Sequence, residues 1–167
     1  MATVREVYDS VRNDTDAVMK RWRHSVATEP GLMGARELDV DALPELISTA
    51  LDVLEERPDQ ETSRRNLLKW TLEHGHYRIR ESVPDDMLFK EYHVLRYALW
   101  DTIRERHGTN RLTSTVITQL DAVLSVASRA SLRGYYHEHF ETGGEDMAEN
   151  LLEDGPWPLH TEGEQQV

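Results

Sequence analysis

Residues 60–81 read QETSRRNLLKWTLEHGHYRIRE, and apolar side chains recur there at Leu67, Leu68, Leu72 and Ile79, with Thr71 and Gly75 on the same face. That spacing is the 3.6-residue period of an amphipathic helix. A glycine on the inward side of such a helix costs about 1 kcal/mol relative to alanine. Its presence therefore implies a close packing contact. Around it stand His74 and Arg78, one turn apart on the same edge.

The same period extends in both directions. Thr3-Val4-Arg5-Glu6 is a capping box, and Val4, Val7, Tyr8, Val11, Val18, Met19, Trp22 and Val26 follow it, which predicts a first helix over 3–26. Pro30-Gly31 and Gly34 interrupt the pattern. Asp39 or Asp41, with Pro44 in the first turn, starts a second helix striped by Leu43, Leu46, Ile47, Ala50, Leu51 and Leu54, and Pro58 closes it. Ser82-Val83-Pro84-Asp85 reads as the cap of a fourth helix carrying Met87, Leu88, Leu95, Ala98, Leu99, Thr102 and Ile103, ended by Gly108. A fifth helix is predicted over 112–140, with Val116, Ile117, Leu120, Val123, Leu124, Ala127, Ser131 and Gly134 inward. No window alternates with the two-residue period of a strand. The fold class is therefore all-α, a single five-helix domain over 1–140, with bundle and globin-like arrangements both open.

Composition narrows the chemistry. The 167 residues suffice for one domain with a continuous core, and the absence of cysteine excludes disulfides, thiolate metal sites and thiol nucleophiles. No apolar run is long enough to span a bilayer, so the expectation is a cytoplasmic protein without membrane contact. The net charge is −12, and eight acids with no Lys or Arg fall in residues 141–167, leaving 23 acids against 19 bases upstream. The expectation is a flexible acidic tail over 141–167, with Gly143-Gly144 and Gly155-Pro156-Trp157-Pro158 as breakers and one short turn near 147–152. Nucleic acid is excluded as a partner, because neutralising phosphates needs a basic face.

Glu91 lies on the inward stripe of the fourth helix, between Leu88 and Leu95, where an unpaired carboxylate would be costly. His74 and Arg78 are its candidate partners. Gly75 would let the fourth helix approach closely enough for a direct pair, with Arg96 an outer member of the cluster. The alternative is that Glu91 and Arg96 are solvated helix-edge charges. The histidine pairs His74/His76 and His137/His139 diverge by about 200° on a helix and cannot share an ion. Glu73 and His76 have ligand spacing, but no second Glu-x-x-His follows, so neither metal nor other cofactor is expected. Phosphate loops, the Gly-x-Ser-x-Gly elbow and His-Glu-x-x-His are all missing, and no enzymatic activity is expected. Trp70, Tyr77 and Trp100 lie off the main stripes, where they either cap the core or form an apolar patch for self-association.

His74-Gly75-x-x-Arg78, followed by Met87-Leu88 and Glu91-Tyr92-x-x-Leu95-Arg96, together with Leu43-Pro44-Glu45-Leu46-Ile47 upstream, resembles the N-terminal domain of RsbRD-type RsbT co-antagonist proteins. A similar domain precedes bacterial histidine kinases. The resemblance covers about residues 10–140. It implies a cytoplasmic, all-helical sensory module, globin-like without haem and often dimeric, that signals to an output such as a kinase or anti-sigma module. The sequence after the last predicted helix carries no phosphoacceptor helices, ATP-binding region or STAS domain; with Met1 and the polar ending, this reads as a stand-alone relative rather than an excised sensor. The alternative function is a small-ligand or metal-binding helical bundle.

Overall fold

A computed structural model describes residues 2–28, 42–55 and 59–137 of the protein. Regular structure among them is entirely helical: α1 (Val4–Asn13), α2 (Thr15–Thr28), α3 (Leu43–Leu54), α4 (Gln60–Arg80), α5 (Asp85–His107) and α6 (Arg111–Tyr136). Pro30, Gly31, Gly34, Asp39, Asp41, Pro58, His139 and the acidic tail over 141–167 lie outside the described residues, as do the readings made of them.

The predicted first helix is two. Thr3 does form the capping box with Glu6, but the chain turns at Asp14, whose N–H bonds Ser10 O at 2.9 Å while its own carbonyl accepts from Ala17 N at 2.8 Å. Thr15 Oγ1 donates back to Arg12 O at 2.9 Å. The run Asn13-Asp14-Thr15-Asp16 consists of residues whose side chains compete for backbone bonds, which ends one helix and starts another. The Asp14 carboxylate meanwhile pairs with Arg106 of α5 at 2.9 Å. The apolar period continues across the break, so Val7, Val11, Val18 and Trp22 join one core with Leu46, Leu51, Leu67, Leu95 and Leu124.

The junction between α4 and α5 also departs from expectation. Ser82–Asp85 does not cap α5 through a side chain: Pro84 is the N-cap residue and makes no such bond. The turn instead closes the end of α4. Ser82 N–H bonds Ile79 O and Val83 N–H bonds Arg78 O, both at 3.0 Å, and Ser82 adopts φ 57°. This is the left-handed helix termination in which glycine is the usual residue. Gly108, at φ 72°, ends α5 in the position anticipated for it.

Along α4 the inward positions are Leu67, Leu68, Thr71, Leu72, His74, Gly75 and Arg78. Ile79, expected on that face, is 40% exposed. Arg78 sits three residues after Gly75 and is the side chain that turns inward, while the next residue rotates out toward solvent.

The closest helix contact is between α4 and α6. A Cβ built on Gly75 would lie 1.7 Å from Ser131 O, and one on Gly134 would lie 2.1 Å from Leu72 O. Two glycines on opposite helices thus let the backbones touch. Gly75 admits α6 rather than α5, correcting the expectation that it brings the fourth predicted helix close.

Candidate functional site

Helix α4 delivers His74 and Arg78 from successive turns, and α5 delivers Glu91 from its second turn. Arg78 is 0%, Glu91 1% and His74 6% exposed. Arg78 Nη2 donates to Glu91 Oε1 at 2.7 Å and Nε donates to Oε2 at 3.3 Å, a forked pairing that suits a planar guanidinium. His74 Nε2 lies 3.1 Å from Glu91 Oε2. An ionised carboxylate has no proton to give, so His74 carries its hydrogen on Nε2. The other side of Arg78 is used as well, with Nη1 donating to Glu81 Oε2 at 3.2 Å.

Burial alone would push the Glu91 carboxyl up, but the hydrogen bonds and charges of His74 and Arg78 outweigh it and hold the group below the ordinary carboxylate range. Burial likewise pulls the Arg78 guanidinium down, and Glu91 and Glu81 more than offset this, so its pKa is raised. The pair is ionised across the physiological range. Removing one partner leaves an uncompensated charge away from water, which costs about 3 kcal/mol or more.

Aromatic rings wall the cluster. Trp70 stacks on His74 with centroids 4.9 Å apart, and Tyr92 meets the same imidazole edge-on at 6.4 Å. Trp22 Nε1 donates to the backbone carbonyl of Glu91 at 3.3 Å, tying α2 to this point of α5.

A second chain of bonds runs beside the ion pair. Ser131 Oγ donates to Thr71 O at 2.8 Å and stands 2.7 Å from Tyr92 Oη. A serine hydroxyl has one proton, so Tyr92 is the donor to Ser131. Burial pushes the Tyr92 hydroxyl well above its ordinary range, which keeps it protonated as this bond requires. Ser131 therefore joins all three helices, since its carbonyl also faces Gly75.

Arg96 is elsewhere. Its Nε lies 2.9 Å from Asp121 Oδ1 and its Nη2 donates to Ser125 Oγ at 2.8 Å, both on α6. Five residues beyond Glu91 the helix has turned about 140°, so Arg96 faces a different neighbour. The sequence placed Thr71 and Ser131 inward but gave them no role. Two hydroxyls on otherwise apolar stripes were the available signal, because buried hydroxyls require partners.

Open, polar space adjoins the cluster without entering it. A groove of about 290 Å³ between α3 and α4 is bordered by Glu45, Asp52, Lys69, Trp70 and Glu73. Among the described residues no three His, Asp or Glu side chains converge as a metal site, and no helix is long and apolar enough to cross a membrane.

The described residues thus form an all-helical fold in which buried charges pair with each other across the junction of two helices. The chain belongs to the family of the RsbT co-antagonist protein RsbRD N-terminal domain, whose model matches residues 15–149. The family places it among signalling-related helical domains. No curated protein and no solved structure gives a significant match.

Proposed function

We propose that this chain is a non-enzymatic, cytoplasmic sensory domain that acts through helix–helix contacts with a second copy of itself and with a partner such as a kinase or anti-sigma module. The observation that supports this best is the fork between Arg78 and Glu91, a fully buried ion pair where apolar packing would be at least as stable. Such a pair is a two-state element. A ligand, proton or partner that favours one arrangement of α4 and α5 shifts α6 with it, because Tyr92, Ser131 and Thr71 bind the three helices together. Inverting a 1:99 population takes about 5.5 kcal/mol, so a weak stimulus biases the output rather than switching it fully.

The path of the helices supports a globin-like arrangement without haem. In an up-and-down bundle consecutive helices are neighbours along their length. Here α4 lies chiefly along α6 and meets α5, its successor in the chain, much less extensively, while α5 packs along α6 and α2. The small-ligand reading draws support from one observation, that the groove beside α3 reaches Trp70, which stacks on His74.

The test uses Glu91→Gln and Arg78→Met in the full chain, with amide exchange of α6 and partner-dependent signalling as paired readouts. The proposal expects faster exchange over the last turns of α6 and altered signalling in both variants. Wild-type exchange together with wild-type signalling would remove its basis.

A further inference from the structure

Helix α5 has a second patterned face, opposite the one that enters the core. Asp86, Lys90, His93, Tyr97, Trp100 and Arg104 succeed one another at spacings of four, three, four, three and four. That is the four-three spacing of a two-helix coiled-coil seam, with Tyr97 and Trp100 as its large apolar side chains; Asp86, His93, Tyr97 and Arg104 are exposed, and Lys90 and Trp100 are half-buried. Tyr97 is 48% exposed and Phe89, flanking the seam, is 53% exposed. The rings are already ordered against one another: His93 and Tyr97 meet edge-on at 4.8 Å, Tyr97 and Trp100 at 5.0 Å. Arg104 rests 5.8 Å over the Trp100 ring.

The seam is complementary to itself when reversed. Laid antiparallel about residue 95, His93 opposes Tyr97 of a second copy, Lys90 opposes Trp100, and Asp86 opposes Arg104. Each layer is favourable: ring on ring, cation on indole, acid on base. Every layer also occurs twice, as the twofold symmetry of a closed dimer requires. A parallel mate would instead set like charges together at both ends. Asp86 already holds Lys90 at 2.8 Å within its own helix, but that exposed pair leaves the carboxylate accessible to a second cation. We propose that α5 is the self-association face of this protein, with a second copy packed antiparallel across it in that register. This deepens the homodimer named under the proposed function and rests on that part of it.

Sedimentation velocity on the full chain, from roughly 1 µM to 1 mM, tests the proposal, with circular dichroism confirming that each variant is folded. Wild-type protein is expected to pass from monomer to dimer in this range. Tyr97→Glu, a surface change, should weaken the dimer at least tenfold, and Arg104→Asp should weaken it several-fold by facing Asp86 with a like charge. Combining Asp86→Arg with Arg104→Asp restores opposite charges only in the antiparallel register, so the double variant should recover most of the loss. A wild-type monomer throughout, an unchanged dimer in Tyr97→Glu, or a double variant no tighter than Arg104→Asp would each overturn the assignment. A monomer in which Glu91→Gln still alters α6 exchange would sink this interface alone and leave the sensory reading standing. A dimer with no such response would do the reverse.

Discussion

Helix α4 meets α6 and α5 in opposite ways. Against α6 it offers an absence, since Gly75 and Gly134 let backbone approach backbone with no side chain between them. Against α5 it offers charge, with Arg78 and His74 enclosing Glu91. The glycine contact tolerates one geometry, because close-packed backbones cannot slide without clashing. The charged contact is held by a balance of large opposing terms, desolvation against Coulomb attraction, and small changes in its surroundings shift that balance. In the proposed function the rigid seam serves as the reference and the polar junction as the part that responds.

The two contacts should fail differently. Glu91→Ala is expected to lose about 3 kcal/mol, because Arg78 stays buried without the carboxylate that pairs with it through the fork. In urea denaturation that loss should largely disappear when Glu91→Leu is combined with Arg78→Met, which removes both charges; a double variant as unstable as Glu91→Ala would mean the charges are not the issue. Gly75→Ala is expected to lose about 2 kcal/mol, the overlap with Ser131 outweighing alanine's better helix propensity. No change of charge elsewhere should recover it. A Gly75→Ala protein as stable as wild type would show that α4 and α6 are not in backbone contact. The smallest effect is a gain. Ser82→Gly should stabilise by about 1 kcal/mol, since Ser82 holds a left-handed backbone that costs a residue with a Cβ about that much. A loss in thermal denaturation would mean that its side chain matters more than its backbone.

The sequence was informative about faces and poor about neighbours. Helix spacing placed Thr71, Leu72 and Gly75 on one side of α4 and Glu91 on the inner side of α5, because burial leaves a periodic trace in the chain, but it put Arg78 at the edge and Ile79 inward, where the structure has the reverse. It could not say which helix fills the space beside Gly75, and it assigned α5 where the structure has α6. The same limit governs Arg96, whose partners Asp121 and Ser125 are too distant in sequence for any local pattern to indicate. The break at Asp14 was missed for a different reason. Apolar period is insensitive to a one-residue turn that keeps Val11 and Val18 on the same side of the core, so only the low helix propensity of residues 13–16 marked it. Ring spacing along the outer face of α5 was equally present in the sequence. Trp100 was noted there alone, and its pairing with Tyr97 and His93 became visible once the helix was seen to have a second patterned side.

The account rests on Glu91 being ionised inside the protein by virtue of Arg78 and His74, and the carboxyl carbon resonance of Glu91 followed by NMR against pH reports this directly. A carboxyl whose folded pKa lies below its unfolded value contributes stability above the unfolded value, near 4.5, and loses it as the pH falls through the folded one. The predicted result is a Glu91 resonance whose titration midpoint lies below 4.5, with stability falling as the group is protonated. A midpoint at or above 4.5 in the folded protein would contradict the pairing and the switch built on it.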